Sequence, residues 1–337
     1  MAKKRVDGST DLKGRFERAS RSLNPPALAV GVDVTWWGGS GKASEAQSRK
    51  ECIAFALRTE DGWTLPEFRR VDLTGFNAAA GKSEPNADPD GEDLIVELKH
   101  LFEKHGAATK IVVALDAPLL AVERGLPRRK KSQKVGEVER RAADRAWATS
   151  VSLSPKGWRA INIQPGSPLP PRIASVVEKL VTAGFSLYLK PDSPLKDRLL
   201  IECFPNEVIW SGGVMGRCGS YTFASMTAYK QMGKCGTVLP LGLLEQVCTH
   251  TLRPCLELAG LNADGWLSRF WDWLSKDEVV VTGVEGATGK CFDDAIDSVL
   301  SLIAAVSFID GSAHVHQGDD PQDGHIIGPG LPSGQLS

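Results

Sequence analysis

The sequence predicts an α/β domain over residues 25–310, whose sheet opens as an antiparallel meander and continues with parallel strands. Three observations carry this. Residues 27–35 (ALAVGVDVT) form a short apolar run rich in β-branched residues, closed by Trp36-Trp37-Gly38-Gly39, which reads as a buried strand and a turn. Residues 51–58 and about 63–73 read as two further strands, joined by the tight turn Thr59-Glu60-Asp61-Gly62. A helix with apolar positions Leu94, Ile95, Leu98, Leu101 and Phe102 then leads into the apolar strand IVVALDAP, residues 111–118, the mark of a βαβ unit with parallel strands.

The remaining elements follow in order. Residues 74–90, rich in Gly, Pro, Asn and Asp, read as a loop. Residues 135–148 and 172–183 read as helices, and 185–189 and 199–204 as strands. A mostly helical stretch at about 210–275 carries Trp266, Trp271 and Trp273. Residues 291–309 form a helix apolar nearly all round, hence buried. Residues 1–24 read as a basic flexible lead-in, and residues 311–337, glycine-rich with His314 and His316 exposed, as a disordered tail.

Composition excludes several classes. With 337 residues, 42% hydrophobic and 24% charged, the chain can bury a sizeable core. Its 40 Lys and Arg balance 41 Asp and Glu, so contact with a polyanion must come from local basic patches. The longest nearly apolar run, 299–309, is too short to span a bilayer. The first residues lack the apolar core of a secretory signal and carry Asp7, Asp11 and Glu17, unlike a transit peptide. Seven cysteines without a CxxC pair read as reduced thiols, so the expected location is cytoplasmic.

The chemistry-bearing residues are acids. Asp33 ends the first strand, Asp116 ends IVVALD, and Glu202 lies in LLIEC just before Pro205. In α/β sheets the carboxyl ends of strands are where ligands bind. Asp294 and Asp297, spaced i to i+3, share one face at the start of a buried helix. A lone strand-end Asp is an ordinary turn former, and Asp294 alone could cap its helix. Several desolvated acids together repel unless a cation sits among them. Oxygen-rich clusters select hard cations, Mg²⁺ or Mn²⁺, and two such ions stabilise the attacking and leaving oxygens of an in-line phosphoryl displacement.

In order, GVDVTWWGG (31–39), ALDAP (114–118), Arg141-x-x-Asp144, ECFPNE (202–207) and DDAIDSVLSLIAA (293–305) resemble the predicted RNase H-like nucleases, over roughly residues 27–309. The Asp294-to-Ser298 close is also similar to Holliday-junction resolvases of the RuvC type, with Ser298 in place of their alanine. The resemblance implies an RNase H-like mixed five-stranded sheet flanked by helices, three strands antiparallel and then two parallel, here with a helical insertion at about 210–275. It implies a metal-dependent nuclease hydrolysing phosphodiester bonds of DNA or RNA. The implied ligands of Mg²⁺ or Mn²⁺ are Asp33, Asp116 and Asp297, with Glu202 and Asp294 as further candidates. Val34 stands where the family commonly has glycine, and Asn206 where it has an acid.

Nucleic acid would be held by the basic stretch after Asp116, with Arg124, Arg128, Arg129, Lys130 and Lys131 as phosphate contacts. The same stretch also reads as a solvated loop. Arg141 reads by spacing as a salt-bridge partner of Asp144, and by the resemblance as a phosphate contact. Trp36 and Trp37 could stack on a base or belong to the core. Cys218, Cys235, Cys248, Cys255 and His250 match no standard zinc spacing, and Gly38 to Lys42 is not a P-loop. Two other classes remain open. One is an ATP-binding protein of the actin-like or sugar-kinase group, which needs a duplicated half absent from this sequence. The other is a non-catalytic adaptor whose insertion tryptophans form an exposed patch for a protein partner.

Overall fold

The computed structural model describes residues 26–34, 50–72, 76–77, 82–83, 90–117, 119, 147, 171–188, 196–215, 226–229, 241–276, 288–317 and 325–330. The first three strands are β1 (Ala27–Asp33), β2 (Lys50–Thr59) and the short β3 (Gly62–Trp63). Gly62, at φ +110°, supplies the left-handed residue of the β2–β3 turn, and the Thr59 hydroxyl donates to its carbonyl. The expected third strand is split. Leu65 and Pro66 make no ladder, because proline has no N–H to donate, and pairing with β2 resumes at β4 (Glu67–Asp72). A two-residue pair, β5 (Phe76–Asn77) and β6 (Lys82–Ser83), follows.

Helix α1 (Glu92–Lys104) leads into β7 (Lys110–Leu115), and α2 (Pro171–Thr182) into β8 (Ser186–Leu187) and β9 (Arg198–Glu202). The main sheet has seven strands in the order β3-β2-β1-β7-β9-β8, with β4 also paired to β2. β1, β2 and the β3/β4 pair are antiparallel neighbours, while β1–β7, β7–β9 and β9–β8 are parallel. The fold is therefore mixed α/β with a mixed sheet flanked by helices, as expected. It exceeds five strands because the third strand is divided and β8 extends the parallel edge.

Strand alternation separates two cores. Leu28, Val30, Val32, Val113 and Leu200 face α1 and α2, where Leu94, Leu98, Ile173 and Val176 cover them. Ala27, Ala29, Cys52, Ala54, Val112, Ala114 and Ile201 face the other side. There the chain places α3 (Pro205–Met215), α4 (Leu241–Leu258), α5 (Ala263–Lys276) and α6 (Thr288–Ile309). All residues from 294 to 309 of α6 are buried, between the sheet and the other elements on this side, as its all-round apolar sequence requires. Asp310 just beyond α6 accepts from Arg58 at 3.0 Å and from the Trp63 indole at 2.7 Å, which pins that helix end to β2 and β3. Among the described residues no helix is long and apolar enough to cross a membrane.

One expectation is overturned, and a condition of the adaptor reading is not met. Part of the expected tail, residues 311–337, is an ordered hairpin of β10 (Ala313–Gln317) and β11 (His325–Pro329), with Ile326 and Ile327 fully buried and Ile327 packed into the second core. His316 is 3% exposed rather than solvated, and its Nε2 lies 2.8 Å from Oε1 of the buried Glu207 on α3. His314 packs edge-on against it, and burial, then the neighbouring His316, pushes its pKa below the ordinary value. Trp266, Trp271 and Trp273 do not form an exposed patch. Trp266 is buried, while Trp271 and Trp273 are partly buried against the core, Trp273 stacking on Phe68 at 4.9 Å.

Candidate metal centre

β1 and β7 run side by side, with Val32 in register with Leu115, and the Asp116 amide donates to the Val32 carbonyl at 3.1 Å. Each strand gives out one step later, so Asp33 and Asp116 leave the sheet as neighbours. Both are in phase with the alanines that face α6. Helix α6 runs antiparallel to β1, for its Ser298 and Leu302 backbone meets Gly31 and the Asp310 beyond it meets Arg58, the ladder partner of Ala27. This direction carries Asp297 to the carboxyl ends of β1 and β7.

One carboxylate oxygen from each of Asp33, Asp116 and Asp297 lies within 4.8 Å of the other two. Asp297 is 6% exposed and Asp33 9%, while Asp116 is half-buried. Ionised together at such spacing, they repel by about 3 kcal/mol per pair at an effective dielectric of about 20. A divalent cation among them would reverse that sign. The donors are all carboxylate oxygens, a set suited to Mg²⁺ or Mn²⁺ rather than to a thiophilic metal.

Surrounding groups complete the site. The Tyr229 hydroxyl donates to Asp297 Oδ1 at 2.5 Å in a fully buried contact. Burial, then the adjacent Asp297 charge, pushes the phenol well above its ordinary pKa, so it stays a donor. The buried Cys203 thiol is also held protonated, by burial first and then by Asp116. Cys248 and Cys255 are buried thiols on α4 with pKa values raised by burial.

Of the expected site residues, Asp33, Asp116 and Asp297 converge, while Glu202 and Asp294 lie outside this three-oxygen group. Glu202 is in phase with Leu200 on β9, so it leaves the sheet on the side of α1 and α2, opposite α6. Its Oε2 accepts from the Leu119 amide at 3.1 Å. Asp294 is 4% exposed on α6. Arg124, Arg128, Arg129, Lys130, Lys131 and Arg141 lie outside the described residues, as do Trp36, Trp37, Cys218 and Cys235.

Two residues near the site are not singled out by sequence. Asp293 is spaced i to i+4 from Asp297, and its charge also bears on Tyr229. Helical spacing could have found it. Nothing local marks Tyr229, which reaches Asp297 across 68 residues of chain. No family model, curated protein or solved structure matches this chain.

Proposed function

We propose that this chain is a divalent-cation-dependent nuclease with an RNase H-like fold, hydrolysing phosphodiester bonds of nucleic acid. The observation that carries the reading is the convergence of Asp33, Asp116 and Asp297 from three separate elements to within 4.8 Å. Their position at the carboxyl ends of parallel strands supports it.

Asp33, Asp116 and Asp297 would hold Mg²⁺ or Mn²⁺. Such an ion lowers the pKa of water and stabilises charge building on phosphoryl oxygens. The chain's own contribution is positional. The ladder between β1 and β7 fixes the spacing of Asp33 and Asp116, and the contact at Gly31 fixes Asp297 against them. Burial of Asp297 keeps bulk water off that wall of the site. In this reading Arg124, Arg128, Arg129, Lys130, Lys131 and Arg141 hold the phosphate backbone.

The test is Mn²⁺ titration by calorimetry, with cleavage of single- and double-stranded DNA and RNA, on the wild type, Asp33→Asn and Asp116→Asn. The wild type binds Mn²⁺ and cuts at least one substrate, and each variant loses both while remaining folded. Variants that cut at the wild-type rate would overturn the proposal.

A further inference from the structure

We infer that Tyr229 is a positioning residue for the cation site, holding the Asp297 carboxylate in the orientation that faces Asp33 and Asp116. The inference rests on the metal-dependent reading above and deepens it. Tyr229 is fully buried, and its hydroxyl donates to Asp297 Oδ1 at 2.5 Å. That bond restrains the carboxylate torsion, which is broad and soft for an aspartate left alone.

Tyr229 is itself held. It lies three residues after Met226, whose carbonyl accepts from the Thr251 hydroxyl at 2.8 Å, with Met226 and Thr251 both fully buried. Thr251 lies on α4, and α4 is locked against α3 where a Cβ on Gly212 would lie 2.6 Å from Cys255 Sγ. A continuous packed path therefore runs from α3 and α4 through Met226 and Tyr229 to Asp297. The helical insertion thus acts as a buttress of the site, a role its sequence does not announce. Hydrogen-bond partners of ligating carboxylates are worth roughly 10–100-fold in metal affinity or activity.

The test uses the full-length, metal-free chain, with Mn²⁺ binding followed by calorimetry and by the electron paramagnetic resonance spectrum of the bound ion. Tyr229→Phe is expected to bind Mn²⁺ about tenfold more weakly, with a changed line shape, while its melting temperature in EDTA stays close to that of the wild type. Equal affinity with an unchanged spectrum overturns the positioning role and leaves the metal reading standing. Should Tyr229→Phe fail to fold, Thr251→Val decides: it loosens the hold on Met226 without touching Asp297, weaker Mn²⁺ binding supports the role, and unchanged binding overturns it. A wild type that binds no Mn²⁺ overturns the metal reading and this inference together.

Discussion

The amide nitrogen of Leu302 lies 2.1 Å from where a Cβ on Gly31 would sit, and the carbonyl oxygen of Ser298 lies 2.3 Å from it. β1 and α6 thus touch backbone to backbone, two residues before Asp33 and within a turn of Asp297. Gly31→Ala must push the helix off the strand. Overpacking of this kind costs about 1–3 kcal/mol, and more where only backbone can yield. The expected outcome is a lowered urea midpoint together with weakened Mn²⁺ binding, since the shift separates Asp297 from Asp33. A variant as stable as the wild type would contradict the contact.

Asp33→Asn and Asp116→Asn remove one negative charge from the cluster. In EDTA, each variant is expected to melt at or above the wild-type temperature, because like-charge repulsion is relieved. With Mn²⁺ added, the wild type alone should gain stability by mass action. Thermal scans with and without the ion check both halves, and a wild type whose melting point ignores Mn²⁺ would tell against a cation site.

Glu202 separates a reading by motif from a reading by geometry. It faces away from α6 and accepts from the Leu119 amide. Glu202→Gln keeps an acceptor there, so Mn²⁺ affinity should stay close to that of the wild type. Loss of affinity as large as that of Asp116→Asn would place Glu202 among the ligands.

The pairing of β10 with β11 carries a pH dependence through His314. His314 faces His316 and Glu207, and its pKa lies below the ordinary 6.5, through burial first and then His316. Below about pH 6.5 the unfolded chain takes up a proton that the folded chain refuses, so this residue's contribution to stability falls as pH drops. Melting temperatures between pH 7 and 5 are expected to decline less steeply in His314→Gln than in the wild type. Equal slopes would remove His314 as a cause.

Ile327 is fully buried and bridges to Cys203, next to the last residue of β9. Ile327→Ala should cost about 2–5 kcal/mol, the usual range for emptying a packed core position. A disordered segment would tolerate the change without effect, so a denaturant titration distinguishes the two.

Most elements were legible because their signals are local. The β-branched run at 27–33, the turn at Gly62, the helical spacing of Leu94, Leu98 and Leu101 and the all-round apolar helix through Ile309 each declare themselves within a few residues. The hairpin was not, because its strands are short, β11 carries a glycine and a proline, and their burial comes from distant partners, α3, α6 and β9. Its polar contact, His316 with Glu207, spans elements far apart in sequence.

By itself, then, the sequence determined that acids stand at strand ends and on a buried helix. Only the tertiary structure decided which of them meet. β9 is buried on both faces, so no polar alternation in its sequence says which way Glu202 points. Ladder register and the helix contact at Gly31 choose Asp33, Asp116 and Asp297, and distant packing delivers Tyr229, because such placements depend on partners that no local stretch of chain contains.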